Sequence, residues 1–304
     1  MTVSNKESPN FSTPISNDCA RLFHGRGHCY PNLTHVCIDW YAPVVLITLY
    51  CEVSGDWLTQ LCHKIQRQIQ GCQSIQVQYR YQTKAPVECL WGDNIKSLVA
   101  EENSLKYQIS LANNQNHGLF LDMANGRKWV RKHSCNKRVL NLFSYTCAFS
   151  VCAIAGGAEY VLNIDMSKTA LSQGRENHKL NDQNLSKVKY AAVNLFKSWG
   201  KLRRESKFDL LICDPPTFQK GSVDIERDYK KIIKRIPEFM ADNSELLFCI
   251  NSPDLDQQFI LNTVEEHCPD CQFQQQIENP RVFREAHKGK GLKAMYFTFK
   301  KADS

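Results

Sequence analysis

From residue 138 onward the chain repeats short apolar runs separated by amphipathic or helix-forming stretches. Arg138-Val-Leu-Asn-Leu-Phe143 reads as a buried strand. Residues 148–155 are apolar and helix-forming and stop at Gly156-Gly157, as helices commonly stop at glycine. Tyr160-Val-Leu-Asn-Ile164 is the next strand, and Ser167 is placed to cap a helix running to about Leu180. Residues 188–193, 208–213 and 246–250 supply further strands, 227–240 a helix, and 294–299 alternates as one more strand. Strands alternating with helices predict an α/β fold with a parallel sheet covered on both faces.

The first third of the chain has a different rhythm. Residues 44–50 read as a strand. Trp57, Leu58, Leu61, Ile65 and Ile69 recur at helical spacing, and Ile75, Val77, Tyr79 and Tyr81 alternate with polar residues as a half-buried strand does. Residues 105–111 make another strand. Three segments follow: a polar tail expected to be disordered over 1–18, a small α+β domain over 19–116 ending in Asn113-Asn-Gln-Asn116, and an α/β domain over 117–304.

Composition narrows the class. The 304 residues are 42% hydrophobic and 23% charged, as in ordinary globular proteins. No apolar run approaches the ~20 residues that span a bilayer, and residues 1–14 lack a signal core, so a cytoplasmic location with no membrane partner is expected. The 14 cysteines are scattered singly, several inside apolar runs, which suits free thiols in a reducing compartment. Cys268-Pro-Asp-Cys271 is the only close pair. A structural zinc site needs four ligands and there is no second such pair, so no metal centre is expected. The net charge of +7 is compatible with a nucleic-acid partner, and the basic residues cluster at 127–133, 197–204, 230–235 and 281–293. Oligomeric state is not legible.

The chemistry gathers at the strand exits. The strand 208–213 runs into Asp214-Pro215-Pro216-Thr217-Phe218. Two prolines cannot continue a sheet ladder, so a carboxylate, a kinked backbone and an aromatic ring are fixed where α/β sheets bind ligands. The first strand leaves through Phe143-Ser-Tyr-Thr146 with no glycine, so the pyrophosphate loop of a dinucleotide fold is absent. A polar, aromatic loop suits a nucleoside ligand without phosphates, such as S-adenosylmethionine. Asp165, ending the second strand, is placed to accept both ribose hydroxyls, and Asn194, after the third, to pair with the adenine edge.

These segments resemble the class I methyltransferases of bacterial large-subunit ribosomal RNA. His117-Gly-Leu-Phe-Leu-Asp122 with Arg127, Asn141-Leu-Phe-Ser-Tyr-Thr146, Gly156-Gly-Ala158, Asp165-Met-Ser167, Asp214-Pro-Pro-Thr-Phe218 and Arg227-Asp228 carry the resemblance. It implies a Rossmann-like domain with a mostly parallel seven-stranded sheet and S-adenosyl-L-methionine as cofactor. Phe143, Ser144, Tyr145, Thr146, Asp165, Met166, Asn194 and Asp214 would surround that cofactor, with Asp122 and Arg127 near its amino-acid end. Two residues depart from the family pattern: Cys147 stands where glycine is usual and is expected to crowd the cofactor or bend the backbone, and Asn194 replaces an aspartate.

The same resemblance bears on the acceptor. Carbon 5 of a pyrimidine needs covalent activation by a cysteine thiolate. The resemblance implies that the cytosine branch carries it after the fifth strand, where this chain has Asn251; Cys249 lies two residues earlier, inside the strand. A ring nitrogen of guanine presents its own lone pair, and 224–229 is closer to the guanine branch. Asp214 and the Pro215 carbonyl would then accept from an exocyclic amine, Phe218 would stack on an extruded base, and Asn251 would hold a base edge. The expected partner is large-subunit ribosomal RNA, with 19–116 either docking RNA or capping the sheet. Methylation of a protein amide or small molecule, and a non-catalytic RNA-binding role, are the alternatives.

Overall fold

The computed structural model describes residues 7–112, 115–205, 207–216, 218–219, 223–287 and 289–301. The chain forms two compact units, one of residues 1–122 with 280–288, the other of 123–279 with 289–304. Part of the polar stretch 113–116 lies outside the described residues.

In the first unit, five strands lie in chain order: Ala20–His24, Val36–Tyr41, Val44–Leu49, Ser74–Tyr79 and Val87–Gly92. Only the third and fourth are parallel, because the helix Gly55–Gln68 connects them. Ser54 caps that helix, its hydroxyl accepting from Trp57 N at 3.3 Å. Trp57, Leu61 and Ile65 pack on Ile38, Ile47 and Val77 from one sheet face. The strand Val36–Tyr41 escapes a pattern reading because it is buried on both faces and carries an inward Asp39, satisfied by the Arg21 guanidinium. Residues 7–12, expected to belong to a disordered tail, are held in place. Trp57 Nε1 donates to the Glu7 carbonyl at 2.8 Å, Lys64 Nζ to that of Pro9 at 2.6 Å, and Phe11 is buried.

The main sheet of the second unit has seven strands: β1 (Arg138–Leu142), β2 (Tyr160–Asp165), β3 (Val188–Ala192), β4 (Phe208–Cys213), β5 (Met240–Ile250), β6 (Cys271–Ile277) and β7 (Lys293–Phe299). Their order is β3-β2-β1-β4-β5-β7-β6. The first five are parallel and β7 runs antiparallel to both neighbours, so the sheet is mostly parallel and Rossmann-like, as expected. Its helices are α1 (Ala124–His133), α2 (Ala148–Ala155), α3 (Lys168–Leu180), α4 (Trp199–Arg203), α5 (Ile225–Ile233), α6 (Ile236–Phe239) and α7 (Gln257–His267). One sheet face packs on Tyr229, Ile232, Ile260 and Val264, the other on Trp129, Val130, Phe149 and Ala153. The single helix expected over 227–240 is in fact α5 and α6. Pro237 has no N–H to continue the ladder, and Met240 already begins β5. Among the described residues no helix is long and apolar enough to cross a membrane.

Candidate active site

The carboxyl ends of the five parallel strands stand level. Leu142 pairs with Ile164 and with Cys213, Ile164 with Ala191, and Cys213 with Phe248. The chain fills one side of β1 with β2 and β3, then crosses to β4 and β5. The crevice at this reversal, between β1 and β4, is where such sheets bind ligands. Phe143–Thr146, Asp165, Asn194, Asp214 and Asn251 all follow directly on these strand ends, so the topology brings the sequence-predicted residues of this unit to one edge. Met166 is exposed there, Asp214 is half-buried and Pro215 is buried. Arg127 is buried on α1, while Asp122 lies in the first unit, in the turn Leu121–Met123. Thr217 and the side chain of Phe218 lie outside the described residues.

The loop after β1 is held in an uncommon backbone conformation. Phe143, Tyr145 and Cys147 have φ of 56°, 45° and 61°. The left-handed region costs a residue with a Cβ roughly 1–2 kcal/mol, and such strain clusters where a backbone must present groups to a ligand. The neighbouring strand braces this loop. Tyr145 N donates to Asp165 Oδ2 at 2.9 Å, Ser167 N to Asp165 Oδ1 at 2.8 Å, and Ser144 N to the Ile164 carbonyl at 3.0 Å. Asp165 does not cap α3; Ser167 does, accepting from Ala170 N at 3.1 Å. Each Asp165 oxygen keeps a lone pair beyond the one it uses, enough for a ribose diol.

Cys147 is accommodated by packing against α3. Its side chain is fully buried and turned into the packing of α2 on α3, where Gly174 makes room. A Cβ on Gly174 would stand 2.4 Å from Cys147 Sγ and 2.8 Å from its Cβ. The positive φ explains why glycine is usual at 147, and Gly174 explains how cysteine is tolerated. Burial pushes the Cys147 thiol well above its ordinary range, so it is a packing group.

Beneath the loop runs a buried polar chain with one direction of donation. Asn141 Nδ2 donates to Asn163 Oδ1 at 2.9 Å, and Asn163 Nδ2 to Ser150 Oγ at 3.0 Å. Ser150 Oγ then donates to His178 Nε2 at 2.9 Å, and His178 Nδ1 to Gln183 Oε1 at 2.6 Å. Burial lowers His178 to about 4, so it is neutral at physiological pH, as this direction requires. Asn177 Nδ2 ties α3 to the Thr146 carbonyl at 2.9 Å. Asn141, in β1, therefore belongs to the support of the loop. Gly174, Ser150, Asn163 and His178 were not singled out from the sequence, although a polar residue inside an apolar run, as at Asn163, is the trace they leave.

On the acceptor side, Tyr229 of α5 is buried. Its hydroxyl reaches the carbonyls of Cys213 at 3.3 Å and Cys249 at 3.2 Å, bracing the last residues of β4 and β5 just before Asp214 and Asn251. Cys213 and Cys249 are fully buried within their strands, while Asn251 is exposed. Asn194 spends one acceptor position locally, Oδ1 receiving Phe196 N at 2.9 Å, and retains its amide donors.

The donors and acceptors at this edge fit S-adenosylmethionine. The buried Ser144 hydroxyl makes no well-formed hydrogen bond among the described residues and has the Cys147 thiol as a polar neighbour, whose ionisation it eases against the burial. Asp165 offers the paired acceptors of a ribose site, and no group of three or more metal-ligating side chains occurs among the described residues.

Comparison with known proteins agrees with this geometry. The model of the S-adenosylmethionine-dependent methyltransferase family matches residues 20–298. Ribosomal RNA large subunit methyltransferase I of Aeromonas salmonicida is 36% identical over 154 residues, which is 49% of this chain and 39% of that protein. Ribosomal RNA large subunit methyltransferase K/L of Hahella chejuensis is 37% identical over 161 residues, 51% of this chain and 22% of that protein. The chain thus spans well under half the length of either relative. A crystal structure described as that of a putative methyltransferase complexed with SAH superposes with a TM-score of 0.83 at 22% identity, covering 92% of this chain and 75% of that one, which is a likeness of fold.

Proposed function

The chain belongs to the S-adenosylmethionine-dependent methyltransferase family, and on that footing we propose that it methylates a base of large-subunit ribosomal RNA at a guanine-like ring nitrogen. The cofactor supplies an electrophilic methyl group when bound. Asp165 would accept from the ribose hydroxyls, Ser144 and Tyr145 would line the amino-acid end, and the donors of Asn194 would meet the adenine edge. Asp214 and the Pro215 carbonyl would accept from an exocyclic amine of the target base, while Asn251 and Phe218 hold its edge and face. A ring nitrogen already has its lone pair, so this reading asks the protein for alignment and water exclusion and needs no general base.

The observation that carries the nitrogen acceptor is the exit of β5. Asn251 is exposed there and Cys249 is fully buried one pleat back, so a carbon-5 mechanism has no thiolate where it would need one. The ribosomal RNA substrate is supported by the names of the relatives. In the same reading residues 19–116 dock RNA. Arg26 and Arg80 flank the Tyr50 ring at 4.5 and 5.9 Å, offering cations and an aromatic surface together.

The test is methyl transfer from labelled S-adenosylmethionine to deproteinised ribosomal RNA, followed by nucleoside analysis. Label in a methylguanosine is expected. Label in 5-methylcytidine that vanishes in Cys249→Ser, or label found only in protein or small molecules, would overturn the proposal.

A further inference from the structure

Two segments of the second unit are rich in basic side chains. Residues 197–207 and 224–235 together hold ten basic side chains against four acidic ones. The first segment leaves the end of β3 just after Asn194 and continues through α4; the second is α5 with its flanks.

Packing joins the two segments into one surface. Lys231 Nζ lies 5.8 Å from the centroid of the Phe196 ring, and the Arg235 guanidinium 5.1 Å from that of Trp199. Phe196 and Trp199 meet edge to face at 5.9 Å, and Phe196 in turn lies 6.3 Å from Phe143 at the cofactor edge. Lys207 Nζ donates to the carbonyls of Pro237 and Glu238, both at 2.8 Å. A row of aromatic rings therefore runs outward from the site and carries cations laid over it.

The charges are preorganised and incompletely neutralised. On α5, Arg227, Lys230, Lys231 and Lys234 are exposed and spaced three or four residues apart, so they share one helix face. Asp228, its side chain only 3% exposed, pairs with Arg227 at 2.8 Å and Lys231 at 2.7 Å from below, which leaves their remaining donors outward. Arg235 pairs with Glu238. No ion pair engages Lys230 or Lys234 among the described residues. A solvated helix face normally interleaves both signs of charge in similar numbers; this one sets four exposed cations against the single exposed acid Glu226, next to a ligand-binding edge.

We infer that this α4–α5 face is the surface that holds the phosphate backbone of the RNA strand leading to the methylated base, an inference that rests on the RNA-methyltransferase reading. Phosphate is the ligand chemistry that matches ordered cations with free donors on one side of the site.

The experiment measures binding of deproteinised large-subunit ribosomal RNA at several salt concentrations. It compares the full chain, Lys230→Gln/Lys234→Gln, and a control pair, Lys128→Gln/Lys132→Gln, which removes equal charge from exposed positions on α1. Each lost phosphate contact lowers the slope of log affinity against log salt by about one. The α5 pair is expected to lose about two from that slope, with affinity down on the order of tenfold and binding of S-adenosylmethionine unchanged. The control pair keeps the slope of the unsubstituted chain. An unchanged slope in the α5 pair, or an equal fall in both pairs, overturns the inference while leaving the proposed function standing. A full chain that shows no salt-dependent RNA binding overturns both.

Discussion

Replacing Gly174 by alanine should disturb the cofactor loop through Cys147. The new Cβ would lie 2.4 Å from Cys147 Sγ, 2.8 Å from its Cβ and 3.1 Å from the Thr146 carbonyl oxygen, so the loop after β1 must move. Overpacking of this kind costs about 1–3 kcal/mol, against which alanine regains up to about 1 kcal/mol of helix propensity. For a unit of this size each kcal/mol moves Tm by about 2–4 °C, so Gly174→Ala should melt several degrees lower and bind S-adenosylmethionine about tenfold more weakly. Cys147→Gly removes both close sulfur-side contacts and relieves the positive φ at 147, at the expense of a small buried volume, so alone it should be close to neutral. In that background Gly174→Ala should be neutral or stabilising, which gives a coupling on the order of 2 kcal/mol. Thermal unfolding and calorimetric titration of the four proteins make the test. Equal destabilisation by Gly174→Ala in both backgrounds would refute the claim that Gly174 exists here to house Cys147.

Three further outcomes follow from the same geometry. Asp165→Asn keeps one acceptor of two, so it also loses the bond from Tyr145 N or Ser167 N; it should weaken cofactor binding at least tenfold, about 1.4 kcal/mol, and lower Tm by a few degrees; unchanged calorimetric affinity would remove Asp165 from the ribose site. Tyr229→Phe loses the hydroxyl that braces the ends of β4 and β5, so kcat should fall several-fold while the Kd for S-adenosylmethionine stays as it was; loss of cofactor affinity instead would assign Tyr229 to the other side of the crevice. His178 is about 4 when folded and ~6.5 when unfolded, so the unfolded chain binds the extra proton. Its contribution is whole above about pH 6.5 and is lost as pH falls toward 4, on the order of 3 kcal/mol in all. His178→Gln should flatten that part of the stability profile, and an unchanged profile would contradict a buried neutral imidazole.

The sequence disclosed most where one segment carries its own signal. Phe208–Cys213 ends where Pro215 and Pro216 forbid more ladder, and Ala148–Ala155 ends at a glycine pair, so both were legible to the residue. The strand Cys271–Ile277 was not, because it is a mostly exposed edge strand rich in glutamine and lacks an apolar period. The helix expected over 227–240 failed at Pro237, a local signal outweighed by the apolar spacing around it. The placement of Asp165 and Asp214 at the carboxyl edge of the sheet could be read because strand ends fix it. The direction of the Cys147 thiol could not, since it depends on a glycine on another helix. The Asn141–Asn163–Ser150–His178 chain was equally hidden, as its members come from four elements and meet only in the folded core.

The central claim is that this edge methylates a base nitrogen in ribosomal RNA, and nucleoside mass spectrometry of ribosomal RNA from cells with and without the gene tests it most directly. The account predicts one methylguanosine species that disappears with the gene and returns with the intact protein but not with Asp214→Ala. Identical nucleoside profiles, or the loss of 5-methylcytidine in its place, would contradict it.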